Sequence, residues 1–205
     1  MTGLLFIGGE GPSEIVFNAY SFDPSYIIAA DSGLELAATL KMKPDLVVGD
    51  MDSLEDKSLL FQFPPDRVME FPKDKDETDT EIGFRMMREK GIETVILVGG
   101  GGGRLDHLLG ILMLFERAYK PALWLTSREE VSLITNYAEY EGCAGKIFSF
   151  FSLFGPVKGL ASKGFKWSLN GLNWNKGQAG ISNVAVEDRV SISVEKGKLL
   201  AVKEF

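Results

Sequence analysis

Residues 44–53 read Pro44-Asp45-Leu46-Val47-Val48-Gly49-Asp50-Met51-Asp52-Ser53. A short, unbroken apolar run opens directly into an acidic loop. A run without polar alternation fits a parallel strand buried on both faces. The same kind of run recurs at Leu4–Ile7, Tyr26–Ala30, Val68–Phe71, Thr94–Val98 and Leu123–Thr126, with Leu46–Val48 third in order. Amphipathic stretches lie between them, near Glu14–Tyr20, Leu34–Leu40, Lys57–Phe61, Thr80–Glu89 and Leu105–Tyr119. Strand–helix alternation of this kind predicts a parallel α/β sheet.

Helix boundaries support that expectation. Thr78-Asp79-Thr80-Glu81 has the form of a capping box, and Gly91 stands where a C-terminal cap is expected. The Leu105–Tyr119 stretch carries Leu108, Leu109, Ile111, Leu112, Leu114 and Phe115 and is apolar almost all round. A helix of that kind is expected to be covered on several sides.

The helical period stops near Arg128. Short strands are expected at Val131–Thr135, Lys146–Phe151, Phe165–Leu169, Val190–Val194 and Leu199–Val202, separated by turns such as Gly142–Gly145, Asn170-Gly171, Asn173–Gly177 and Lys196-Gly197. The expected organisation is an α/β domain over 1–127, followed by a small antiparallel β-sandwich or barrel over 128–205.

Composition excludes several function classes. The chain has 205 residues with formal charge −7. Residues 1–127 hold 12 basic and 21 acidic groups, net −9, and residues 128–205 hold 10 and 8, net +2. A net-acidic chain without a Lys/Arg block suits no nucleic acid, because phosphate neutralisation dominates that affinity. No apolar run reaches the roughly 20 residues needed to cross a bilayer. The first ten residues lack a basic leader and turn polar early, so no signal peptide is expected and the location expected is cytoplasmic. One cysteine, Cys143, and one histidine, His107, leave carboxylates as the only set able to hold a metal.

Those carboxylates follow the strands. Asp31-Ser32-Gly33 follows the second run, Asp50-Met51-Asp52-Ser53 the third, Asp74, Asp76 and Asp79 the fourth, and Arg104-Leu105-Asp106-His107 the fifth. In an open parallel sheet these loops meet at the ligand-binding crevice. Four acidic loops on one rim repel one another unless a cation sits among them. In extended backbone Asp50 and Asp52 present both carboxylates to one side. Hard oxygen ligands of this kind favour Mg²⁺. A lone Asp-x-Asp is more simply a turn; the four acidic loops together favour the metal.

The run Gly99–Gly103, followed by Arg104, can bring several amides to an anion, with the Arg104 fork added. It matches neither the P-loop nor the dinucleotide fingerprint, and taken alone it also fits a flexible loop. Gly8-Gly9-Glu10-Gly11-Pro12 fits a nucleotide wall or a turn into a helix equally well. His107 reads as a hydrogen-bonded structural residue, Cys143 as inert, and Phe148, Phe150, Phe151 and Phe154 as core.

Taken in order, Ala30–Gly33, Pro44–Ser53, Lys75-Asp76-Glu77-Thr78-Asp79-Thr80-Glu81 and Gly102-Gly103-Arg104-Leu105-Asp106-His107 resemble the blocks of the thiamine pyrophosphokinase family. Gly164–Leu169 and Gly180-Ile181-Ser182-Asn183 carry the resemblance into the second part, so it spans the chain. Met51 stands where that family usually has Phe.

The resemblance implies a Rossmann-like α/β domain and a β-sandwich domain. It also implies a Mg²⁺-dependent transfer of the ATP pyrophosphoryl group to the thiamine hydroxyl, giving thiamine diphosphate and AMP by attack at the β-phosphorus. It implies a homodimer with thiamine at the subunit interface. Asp50, Asp52, Asp79 and Asp106 would form the acidic, metal-holding and catalytic centre, with Asp52 and Asp79 in direct contact with the ion. Asp50 or Asp79 would accept the hydroxyl proton. Gly102, Gly103 and Arg104 would hold ATP phosphates, Asp31 and Ser32 would lie along the nucleotide, and Lys75 would reach phosphate or substrate. Ser182 and Asn183 would bond the thiamine pyrimidine, and Trp167 would face the thiazolium by cation–π attraction. The alternatives are a thiamine- or nucleotide-binding sensor without catalysis, and a related kinase for another small alcohol.

Overall fold

A computed structural model describes residues 1–205, which divide into two compact units, Met1–Arg128 and Glu129–Phe205. The first unit is built on six parallel strands. They are β1 (Thr2–Phe6), β2 (Tyr26–Ala30), β3 (Leu46–Gly49), β4 (Val68–Glu70), β5 (Thr94–Val98) and β6 (Leu123–Leu125). Their order across the sheet is β6-β5-β1-β2-β3-β4, and every neighbouring pair is parallel. Leu4, Leu5, Ile28, Val47, Val48, Val95 and Leu97 are wholly buried, as strands covered on both faces require.

Four helices connect this sheet: α1 (Glu14–Ala19), α2 (Gly33–Thr39), α3 (Asp79–Glu89) and α4 (Leu105–Leu114). The α3 capping box forms with both bonds in place: Glu81 N–H donates to Thr78 Oγ1, and Thr78 N–H donates to Glu81. Gly33 opens α2 hard against β1, where a Cβ would stand 2.3 Å from the Phe6 carbonyl oxygen. Only glycine fits there.

Two expectations for this unit need correction. Lys57–Gln62 is a 3₁₀ helix that buries none of its residues, and Phe61 is exposed. The two prolines that follow, Pro64 and Pro65, stop it from lengthening toward the sheet. The second correction concerns α4, which is not covered on several sides. Leu105, Leu109 and Met113 are 70, 50 and 52% exposed, and the helix packs through Ile111 and Leu114. Its hydrophobicity greatly exceeds the area it buries.

The second unit has eight strands. They are β7 (Glu129–Ile134), β8 (Tyr137–Tyr140), β9 (Ile147–Phe151), β10 (Val157–Lys163), β11 (Leu172–Trp174), β12 (Ala179–Val184), β13 (Val190–Ser193) and β14 (Leu199–Glu204). Antiparallel pairing gives the orders β12-β9-β14-β7 and β11-β10-β13-β8. Ile134, Phe148, Phe150, Leu160, Phe165 and Ile192, drawn from both sheets and the loop after β10, share one core. The Phe165 ring stands edge-on to Phe148 and Phe150, with centroids 5.0 and 5.6 Å away.

Phe165–Leu169, expected to be a strand, is a loop. Gly164 turns at φ +81°, and Phe165 makes a single bridge to Ala185. Ser162 Oγ then accepts from Leu169 N–H, while Ser162 N–H donates to Asn170 Oδ1. Side-chain oxygens take the place of a ladder partner there.

Candidate functional site

The acidic loops do not contribute equally to one centre. At the end of β2 the chain enters Asp31 at φ +49°, and at the end of β3 it turns through Gly49 (φ +143°) and Met51 (φ +57°). Such left-handed steps in non-glycine residues are strained and gather at functional sites. Asp79 is the first residue of α3, held by its capping box. These three elements bring a carboxylate oxygen from each of Asp31, Asp50 and Asp79 within 4.8 Å of one another.

Lys75 sits against this trio, 3.5 Å from Asp50 Oδ2 and 3.2 Å from Asp79 Oδ1, with its side chain only 14% exposed. Burial alone would lower its pKa, but Asp79 and Asp50 outweigh that effect and hold it above the usual lysine value. Burial raises the pKa of Asp31, against hydrogen bonds from Ser53 and Ser32. Burial also raises that of Asp79, against the Lys75 ammonium. Asp31 Oδ1 is buried without a hydrogen-bond donor, and buried Asp79 Oδ1 has only the Lys75 ammonium, 3.2 Å away, as a partner. The Asp31 orphan costs desolvation that a cation would offset.

The other two expected members lie apart from the trio. Asp52 is 41% exposed and paired with Lys73; hydrogen bonds from Lys73 and Ser53 lower its pKa. Asp106 and Arg104 bond each other in a two-pronged fork, 3.1 and 2.6 Å long, and Arg104 holds the Asp106 carboxyl below its ordinary value. Extended-strand geometry does not apply to Asp50 and Asp52, because Met51 is left-handed. Asp52 N–H instead bonds back to Asp50 Oδ1 at 3.1 Å, so the Asp-x-Asp is a turn as well as part of the site.

The glycine run is held in place. Gly101 and Glu10 exchange backbone bonds of 2.8 and 2.9 Å, and Gly100 N–H donates to the Gly8 carbonyl. A Cβ on Gly99 would stand 2.2 Å from the Ile7 carbonyl oxygen. The Gly8–Gly11 and Gly99–Gly102 segments are therefore zipped together. Both approach a cleft of about 840 Å³ whose lining includes Asp31, Ser32, Asp50, Asp52, Lys75, Asp79, Gly103 and Asp106. Lys73 lines it too, and its only mark in the sequence is its place between Pro72 and Asp74 in an acidic loop.

In the second unit, Asn183 is 4% exposed and fully engaged. Its Oδ1 accepts from Trp167 and Val184 N–H, and its Nδ2 donates to the Trp167 carbonyl. Asn183 therefore braces Trp167. Lys166 Nζ lies 4.7 Å over the exposed Trp167 ring. Ser182 is exposed at a left-handed irregularity within β12, with its N–H on Ser149 Oγ.

Fold and site define an α/β protein whose parallel sheet carries a carboxylate cleft at its C-terminal edge, joined in sequence to a β-sandwich. Residues 17–126 match the family model for the thiamin pyrophosphokinase catalytic domain, and residues 133–199 match the model for the thiamin pyrophosphokinase vitamin B1 binding domain. The chain belongs to the thiamine pyrophosphokinase family.

Among relatives, it is 24% identical over 202 residues to the thiamine pyrophosphokinase of Bacillus subtilis, covering 94% of each chain. It is 27% identical to thiamine pyrophosphokinase 1 of Arabidopsis thaliana, over 82% of this chain and 68% of the plant protein. The crystal structure of the Bacillus subtilis protein shares the fold with a TM-score of 0.82 at 21% identity, covering 100% of this chain and 99% of that one.

Proposed function

We propose that the protein transfers the pyrophosphoryl group of ATP to the hydroxyl of thiamine, giving thiamine diphosphate and AMP. The observation that carries this reading is the convergence of Asp31, Asp50 and Asp79, with a buried Asp31 oxygen that lacks a donor. An all-oxygen, all-carboxylate set fits Mg²⁺, which commonly binds one or two carboxylates together with phosphate oxygens. Asp31, Asp50 and Asp79 would hold the ion, with Asp52 at the rim of the cleft. A bound Mg²⁺ would neutralise charge on the triphosphate.

The chain's own groups do the remaining work. Lys75 presents its ammonium to phosphate from a half-buried position beside the trio. Gly103 lets backbone approach the polyphosphate, and Arg104 can exchange its Asp106 partner for a phosphate oxygen. Positioning the thiamine oxygen in line with the β-phosphorus supplies much of the rate in this class of chemistry. Asp50 or Asp79 accepts the hydroxyl proton. Ser182 and the Asn183-braced Trp167 are assigned to thiamine, in a homodimer.

The test is to supply ATP, Mg²⁺ and thiamine and to separate the products. AMP and thiamine diphosphate are expected in equal amounts. ADP with thiamine monophosphate would refute the reaction, and thiamine binding without AMP would identify a sensor.

A further inference from the structure

The turn that follows α4 is fixed at both ends. Phe115 is wholly buried, and its N–H donates to the Leu112 carbonyl. Further on, the Tyr119 ring packs against Phe84 of α3 with centroids 4.8 Å apart, and its hydroxyl donates to the Ile92 carbonyl at 2.7 Å. Arg117 stands between these anchors, with its own N–H on the Leu114 carbonyl. The backbone holds Arg117 in place independently of its side chain.

That side chain reaches the start of α3, 36 residues away in sequence, where its Nη2 donates to Glu81 Oε1. The other oxygen of the same carboxylate, Oε2, accepts from Thr78 N–H and Thr78 Oγ1, each at 3.1 Å. Glu81 is thus divided between two tasks. One oxygen closes the capping box and the other is held by Arg117. A carboxylate is rigid and planar, so fixing Oε1 limits where Oε2 can point.

Without that hold, Glu81 has reason to swing away. Asp76, Glu77, Asp79 and Glu81 all line the cleft, and like charges so placed repel one another. A glutamate also regains rotamer freedom when it lets go of its cap. Asp79 is the first residue of α3 and Glu81 the third. The cap that Arg117 steadies therefore sets the backbone from which the Asp79 carboxylate projects.

The Arg117 side chain is 48% exposed, and ion pairs so wet add little to global stability. Such a pair can still govern a carboxylate whose place must be right within a fraction of an ångström. We infer that Arg117 is a positioning residue: through Glu81 and the α3 cap it holds the Asp79 carboxylate beside those of Asp31 and Asp50, without touching substrate itself. For turnover this rests on the phosphoryl-transfer proposal above; for the cap it stands alone.

The test uses Arg117→Ala, Glu81→Ala and the two combined. In metal-free protein, exchange of the Thr78 amide hydrogen, followed by NMR, should run about fivefold faster in Arg117→Ala than in the parent. Melting should stay within about 3 °C of the parent. With ATP, Mg²⁺ and thiamine, kcat should fall about tenfold while both KM values hold. Arg117→Lys, which can still pair with Glu81, should recover most of the turnover and the slow exchange. Adding Arg117→Ala to Glu81→Ala should cost nothing more. An unchanged Thr78 exchange rate, a larger drop in melting, a loss seen mainly in KM for ATP, or a further fall in the double variant would each overturn the inference. The last two would show Arg117 meeting the nucleotide directly. If the parent forms no AMP, the phosphoryl-transfer proposal falls, and Thr78 exchange still decides the role of Arg117 at the cap.

Discussion

The two units treat their buried polar groups in opposite ways. In the β-sandwich, Asn183 uses both ends of its amide, and the Ser152 hydroxyl donates toward the Asn175 and Gln178 carbonyls while accepting from Gln178 N–H. In the α/β unit, Asp31 keeps a buried oxygen without a donor, on backbone that turns left-handed at Asp31 and Met51. Satisfied polar groups fix a fold; unsatisfied ones mark where the fold leaves room for something else. The comparison separates framework from chemistry without reference to residue type.

The largest expected effect breaks the α/β side of this contrast. Asp31→Asn should lower turnover by about 10²–10³-fold, the scale for losing one preorganised charge-stabilising group. It should also abolish the upward shift in melting that Mg²⁺ gives the parent. The metal-free variant should melt higher than the metal-free parent. The sign follows from the raised pKa of Asp31: the folded state holds its proton above the ordinary 3.8, so stability is lost as pH rises through that window. The gap between variant and parent should therefore widen from acid toward neutral pH, as measured by melting in chelator.

Asn183→Ala tests the satisfied side. Losing its bonds to Trp167 and Val184 should cost about 3 kcal/mol in denaturant unfolding, with Mg²⁺-dependent stabilisation intact. A loss of thiamine affinity alone, with stability unchanged, would mean that the amide serves the ligand and not the loop.

Tyr140 gives a smaller, pH-dependent effect. Burial is the main cause that pushes its phenol to about 12, from an ordinary 10.0. The resulting stability is complete below pH 10 and is lost as pH rises toward 12, roughly 2–3 kcal/mol in all. Tyr140→Phe should flatten that alkaline decline, seen by unfolding at stepped pH. Smallest of the set, Thr78→Ala removes one half of the α3 cap and should cost about 1 kcal/mol by chemical denaturation. Because that cap holds Asp79, activity should fall by more than the stability loss alone explains.

The α/β unit was legible in the sequence because its signals are local. Unbroken apolar runs, a capping box and acid placed after each strand survive without knowledge of tertiary contacts, and Tyr26–Ala30 and Thr94–Val98 form strands over those same residues. The carboxylate geometry was legible only in part. Asp50 and Asp79 meet, but Asp31 joins them in place of Asp52, because a left-handed Met51 turns Asp52 outward, and no residue type announces that φ. In the β unit, β8, β10, β11 and β12 escaped notice. Tyr137–Tyr140 and Ala179–Val184 alternate weakly, and their pairing partners lie far along the chain. The exposure of α4 was hidden for a related reason: composition gives a helix's hydrophobicity, whereas its cover depends on neighbours.

Lys75 has one further consequence. Three ionised aspartates with one lysine among them leave a local formal charge of −2, which a single divalent ion balances. The pocket is therefore matched in valence to one such ion. Protons, whose binding at Asp31 and Asp79 is favoured by burial, would compete for the same seat. If the trio holds Mg²⁺ as proposed, acidity and magnesium would be rival occupants of it.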